Sequence, residues 1–441
     1  MPTLNVQARS DKAVAIQMKN ASPDSDGPRT SRLLQSGIIF SAVSFVTGMG
    51  NLAFQGVMGR HLNGVGQYGA ANSALGGLMT LLGLLPSVAT FAVTHYIAHF
   101  QASGDTARLQ GLLLGCRRFL FRLTIAGSVL AVILVNPLSA FFHYSRSLTL
   151  VTLGCALFGL WAALATALCQ GLAWFNRLAL IGFLAMLLRV GFGWFITLKW
   201  PSAETAVLAS GFAFLAYITL LFWRKDMSPH GTPTSPWNRE FAQYLVVSTA
   251  FVIGNFCFFQ GDLLVANKFF SREELDAYTA AGILARALPQ TIAPLLLVLF
   301  TSRSGERTGD KLSEQLKLGA LSGIGLVLGA VGLVMLRMFC LRLLNKYTPE
   351  AAAMVGQFVV IMVFVGLLQS LAYWALASRW LKISVFYGVL GVAYWLVLLA
   401  IGKTPVKLLQ TMQVATGAIF GALLITWLVT MQRHHWRDPQ T

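Results

Sequence analysis

Charge is scarce in this chain, and acid is scarcest. Of 441 residues only 16 are Asp or Glu, and all charged residues together make up 11%, against roughly 25% in ordinary soluble proteins. A soluble fold needs polar side chains over its whole surface, and these are too few, so lipid must be the solvent for most of the chain. The five cysteines (Cys116, Cys155, Cys169, Cys257, Cys340) are scattered through apolar stretches. They form no CxxC or Cys/His spacing, which excludes a disulfide framework or a clustered metal site. The sequence also lacks a phosphate-binding Walker A loop and an HExxH pair, so neither ATP hydrolysis nor zinc proteolysis is expected. No cofactor is expected. A nucleic-acid partner is not expected either, because the basic residues gather on no soluble module.

What the chain does have is apolar length. A bilayer core of about 30 Å needs about 20 apolar residues per helix. Twelve such runs occur, at 34–59, 70–95, 117–141, 148–171, 177–198, 204–223, 241–267, 277–300, 317–340, 352–376, 383–401 and 408–430. The expected fold is therefore an all-α polytopic membrane protein with about twelve transmembrane helices. Residues 1–31 are polar and rich in Ser, Asp and Pro, and read as a disordered tail. The run from Leu33 to Met58 is too long for a signal-peptide core and is expected to remain as a span.

Lys and Arg in the connections set orientation. With the N-terminus inside, 21 fall on the cytoplasmic side and 10 on the other. Both termini are thus expected in the cytoplasm, in a cytoplasmic membrane facing membrane lipids. The stretch 224–240 carries three prolines and a glycine and reads as a linker. It divides the chain into a six-helix lobe over 32–224 and another over 240–432, with 225–239 between them and a tail at 433–441. Equal halves of this kind characterise parallel-repeat transporters that handle cargo between the lobes.

Local residues add a resemblance. The turn Gly59-Arg60-His61-Leu62, followed by Gly66-Gln67-Tyr68-Gly69-Ala70, is similar to the R-x-L…Y-G turn of polysaccharide transporters. In the second half, Gly261-Asp262-Leu263-Leu264-Val265, Tyr278-Thr279-Ala280-Ala281, Pro294 and Ser302-Arg303 resemble the same family. It belongs to the multidrug/oligosaccharidyl-lipid/polysaccharide (MOP) flippase superfamily. The resemblance implies a MATE-like, inverted-V pair of lobes with a central cavity. Its implied cargo is a polyprenyl-pyrophosphate-linked oligosaccharide, moved by alternating access for surface polysaccharide synthesis. H⁺ or Na⁺ and a polysaccharide polymerase or other assembly protein are the implied partners. A multidrug extruder is the alternative within the superfamily, and a membrane-embedded glycosyltransferase or ligase the alternative outside it. The short outer loops speak against the latter.

An ionisable side chain inside a span is costly and usually faces a cavity or a partner. Arg286 lies well inside the eighth run and shares a face with Thr279, Gly282 and Gln290. Its guanidinium suits a phosphate, or else it bridges Asp262 and holds the lobe together. Asp262, the one carboxylate clearly within a span, is either an ion-coupling site or a structural partner of Arg286 or Lys268. Arg189, midway along the fifth run, is read as substrate contact or packing. Arg60 is read as a release-side contact or an interfacial anchor. Asn51 and Gln55 with Gly48 form a polar stripe on the first run, and Asn255 shares one with Ser248 and Asp262 on the seventh. A second-run stripe of Asn72, Gly76, Thr80, Gly83, Ser87, Thr90 and Thr94 reads as a packing seam or a cavity wall. Residues 101–118, with Arg108, Arg117 and Arg118, are expected to lie along the membrane surface.

Overall fold

The computed structural model describes residues 26–62, 64–222, 239–305, 312–377 and 381–437. Most of the 1–31 tail and of the 224–240 linker lies outside them, as does 438–441. Among the described residues every regular element is helical. Each of the twelve apolar runs has its helical counterpart, and the departures follow from identifiable residues.

The first helix, α1 (Asp26–His61), begins eight residues before the expected span. Asp26 and Pro28 are suited to a first turn, where acid meets the helix dipole and the missing proline N–H is not needed. The second run is not one straight helix. It comprises α2 (Gln67–Asn72), a π-helical turn at Ser73–Leu78, α3 (Met79–Leu82) and α4 (Leu84–Ser103), with a bend of 54°. Gly76, Gly77, Gly83 and Pro86 crowd this stretch, and glycine and proline are where helices bend.

The third, α5 (Thr106–Phe142), is one continuous helix of 37 residues. The Asp105 carboxylate caps it by accepting from Arg108 N, and His143 closes it in the left-handed region at φ 55°. The surface segment expected at 101–118 is therefore not separate. Its basic part is the leading end of a spanning helix, extended because a charged cap starts it early.

Then come α6 (Arg146–Gly171), α7 (Phe175–Lys199) and α8 (Ala203–Phe222). The seventh run is broken at Gln260 into α9 (Arg239–Phe259) and α10 (Gly261–Phe269). It is followed by α11 (Arg272–Gly305), α12 (Leu312–Leu343), α13 (Pro349–Ala377), α14 (Leu381–Ile401) and α15 (Pro405–Arg437). Among the described residues eight helices are long and apolar enough to cross a bilayer singly, and the bent second one makes a ninth. All five cysteines are free, as their spacing implies.

The helices pair in a pattern that repeats. In the first half α1 packs on α7, α4 and α8 on α6, α5 on α6, and α7 on α8. In the second half α9 packs on α14, α11 and α15 on α13, α12 on α13, and α14 on α15. Each pairing recurs six spans later. The equivalents α5 and α12 carry long rows of exposed apolar side chains, among them Ile125, Val129, Val132, Ile324, Leu328 and Met335, a surface suited to lipid rather than water.

Close approach underlies these pairs. A Cβ on Gly388 would fall 2.4 Å from the Ala250 carbonyl oxygen, and one on Gly391 would fall 2.6 Å from Gly254 Cα. Only glycine lets α9 and α14 touch backbone to backbone. Across the halves, α11 meets α1, α2 and α4, α9 meets α4, and α10 meets the π-helical turn and α5.

Candidate functional site

Each half holds an arginine within its helices, Arg286 buried and Arg189 half-buried, and their surroundings differ. In the second half, the break at Gln260 leaves carbonyls that a continuous helix would have bonded. Trp395 donates its indole N–H to Gly261 O at 2.9 Å. Arg286 Nε donates to Phe259 O at 3.0 Å. The same guanidinium pairs with the Asp262 carboxylate through Nη2. Tyr278 donates its hydroxyl to that carboxylate at 2.7 Å. The Phe358 ring lies 5.6 Å from the Arg286 guanidinium carbon. Gly282 makes room beneath it, since a Cβ there would lie 2.5 Å from Nη1.

Asp262 is 0% and Arg286 3% exposed, so the pair is sealed in the packing of one half. Of the two readings of Arg286, these contacts match the bridge to Asp262. The physical reason is the helix break, whose free carbonyl and adjacent acid absorb the guanidinium. Lys268, the other partner considered for Asp262, instead sits 4.1 Å over the Phe141 ring. Asp262 Oδ1, Arg286 Nη1 and Thr279 Oγ1 are buried without hydrogen-bond partners among the described residues. Gln290, one turn beyond Arg286, is exposed.

In the first half, α7 aims Arg189 at α1. Its neighbours Ala185 and Gly193 are buried, whereas Leu187, Leu188 and Trp194 face outward. Arg189 Nη1 donates to Asn51 Oδ1 at 3.0 Å, and its guanidinium lies 4.4 Å over the Phe54 ring. Its Nε is buried without a hydrogen-bond partner. No carboxylate pairs with it among the described residues. One turn along α1, Gln55 donates to Asn72 Oδ1 at 2.8 Å, and its own Oε1 is buried and unpartnered. Arg189–Asn51 and Gln55–Asn72 are thus two hydrogen-bonded pairs, one turn apart along α1, that make up the polar group of the first half.

The remaining candidates are dispersed. Asn255 is half-buried with its amide oxygen unpartnered, and Arg60 is exposed at the end of α1. The second-run stripe divides. Asn72 joins the polar group, while Thr90 and Thr94 donate to the α6 carbonyls of Ala163 and Ala167, so that part is a packing seam. Composition did not point to Tyr278, Trp395 or Asp276. Tyrosine and tryptophan in apolar helices read as packing, and Asp276 reads as an ordinary acid at a helix start.

At the end opposite the 224–240 linker, the halves are tied together. Asp276, just ahead of the expected eighth span, accepts from Gly69 N at 2.6 Å and Gly66 N at 3.3 Å. Lys346 Nζ lies 3.8 Å from the same carboxylate. Burial pushes the Asp276 carboxyl above its ordinary range, against the opposing pull of those amides, Lys346 and Arg272. Arg272 also donates to His143 O at 3.1 Å, and Ser73 donates to Leu263 O at 3.2 Å.

No protein-family model and no curated protein sequence matches the chain. Solved structures match it in fold. An inward-facing multidrug resistance MATE transporter of the MOP superfamily superposes with a TM-score of 0.67, over 92% of this chain and 99% of its own, at 14% identity. A MATE transporter in complex with MaL6 gives 0.63 over 90% and 97%, also at 14% identity. The lipid II flippase MurJ, in an inward closed conformation, gives 0.64 over 88% and 87%, at 12% identity. The chain is a multi-pass membrane protein with the helical transporter fold common to these MOP-superfamily structures.

Proposed function

We propose that the chain is a flippase that moves a lipid-linked, pyrophosphate-bearing oligosaccharide across a cytoplasmic membrane. The observation that carries this reading is Arg189: a cation inside a span, held by one amide oxygen and one aromatic face. A charge at that depth is unfavourable by several kcal/mol unless compensated. Among the described residues the other arginine within a span, Arg286, already has its acid, so the uncompensated charge there is positive. A phosphate offers the missing counter-ion, and the planar guanidinium engages it through two parallel hydrogen bonds. Asn51, Gln55 and Asn72 add neutral polar groups for the cargo's head, while its prenyl tail remains in the bilayer. An organic cation would meet repulsion here, which sets the multidrug alternative behind.

In this reading the lobes over 32–224 and 240–432 rock about their shared contacts, with both termini and the linker cytoplasmic. Asp262 is the coupling candidate. Protonation, or a bound Na⁺, would weaken its hold on Arg286 and so bias one arrangement of the second half over another. Arg60, Gln290 and Asn255 are secondary contacts along the path, and a polymerase or other assembly protein would receive the product.

The test is ligand-linked stability of the detergent-purified chain, since a ligand that binds only the folded state raises its melting temperature. A prenyl pyrophosphate should stabilise the wild type and leave Arg189→Leu unmoved, while an organic cation such as ethidium should do nothing to either. Equal stabilisation of both chains by the prenyl pyrophosphate would overturn the assignment. Stabilisation by ethidium alone would favour the multidrug reading.

A further inference from the structure

We infer that Asp276 is the latch of a gate between the two halves at the end opposite the linker. It caps, in trans, a helix of the other half. The helix α2 is preceded by Gly66, which has φ 77° and no side chain to receive the first amides. Helix starts leave such N–H groups unpaired and normally satisfy them from a nearby Ser, Thr, Asp or Asn. Here the acceptor comes from α11, on the far side of the boundary between halves and about two hundred residues later. Asp276 Oδ1 takes the Gly69 amide and Oδ2 the Gly66 amide.

The surroundings fit this role. A Cβ on Gly69 would lie 2.9 Å from Asp276 Oδ1, and one on Gly66 would lie 2.6 Å from Arg272 Cδ, so both glycines open the space that the second half fills. Lys346 approaches the carboxylate at 3.8 Å and lies 5.1 Å over the Tyr68 ring, closing the latch from a third element. Parting the halves at this end would strip two amides of their acceptor at once. The Gly66…Gly69 turn thus acquires a purpose that periodicity and composition leave unexplained. Asp276 is a positioning residue: it touches no cargo, and its role holds whatever the cargo is.

The test uses the full chain in lipid nanodiscs, with the native cysteines replaced and spin labels at the exposed pair Val65 and Glu273, one on each half. A second labelled pair, at the exposed Gln101 and Gln243, reports the linker end. Asp276→Ala should shift the closed-to-open ratio at Val65–Glu273 about tenfold toward longer distances, the size expected when buried hydrogen-bonding groups lose their partner. The Gln101–Gln243 distances should stay the same or shorten. Asp276→Asn, which keeps one acceptor oxygen, should give a smaller shift, and Lys346→Ala a smaller one still. An unchanged Val65–Glu273 distribution in Asp276→Ala overturns the latch. So does equal broadening at both ends, which would mark Asp276 as a general fold stabiliser.

Discussion

The two halves arrange their helices in the same order and yet treat an arginine within a span in opposite ways. Arg286 in the second half has an acid, a tyrosine hydroxyl beside that acid, a backbone carbonyl and an aromatic face. Arg189 in the first half has an amide oxygen and an aromatic face only. The first arrangement resembles a structural pair, whose worth lies in both members being present. The second stores an unmet electrostatic demand that a ligand can satisfy. In the proposed reading, one half carries a paired polar centre and the other a centre left open for cargo.

That contrast can be broken most forcefully on the second half. Arg286→Ala leaves Asp262 buried and unpaired, and should lower stability by about 3–5 kcal/mol, seen as a large drop in the melting temperature of the purified chain. The paired replacement Asp262→Leu with Arg286→Met should recover most of that loss, because an apolar pair avoids desolvating two charges. Failure of the double variant to recover would mean that the centre does more than pair charges.

Arg189→Leu should behave in the opposite sense. Removing an uncompensated cation should leave the melting temperature unchanged or raised, while cargo binding is lost. A melting temperature lowered as far as in Arg286→Ala would erase the distinction between the halves. Tyr278→Phe sharpens the same comparison at smaller scale. It removes one hydrogen bond to a buried carboxylate and should destabilise by about 1–3 kcal/mol, read from the same melts.

Much of the fold was legible because apolar run length is set by bilayer thickness, which no tertiary contact can override. The breaks were harder to read. Gln260 sits before a glycine inside an otherwise continuous apolar run, and nothing in hydropathy distinguishes a helix from one interrupted for a single residue. The pairing of Asp262 with Arg286 was already open as a reading, since both are charges in a medium that excludes lone ones. That this pairing would hide Arg286 from any cavity depended on where the break put the Phe259 carbonyl. Arg189 kept its interest because its depth in α7 was readable from the sequence, although its partner Asn51 lies 138 positions away. Asp276 was missed because its role comes entirely from the opposite half.

The central claim is that the open centre around Arg189 serves a phosphate-bearing lipid. Its most direct test is transport in vesicles reconstituted with the chain and a fluorescent prenyl-pyrophosphate glycan, quenched from outside by dithionite. The account predicts that the wild type exposes the inner-leaflet pool at least about tenfold faster than Arg189→Leu, an effect of one lost charge-assisted hydrogen bond or more. Arg189→Lys should lie between them, since the charge stays and the fork is lost. Equal rates for the wild type and Arg189→Leu, with both chains folded and equally incorporated, would contradict it.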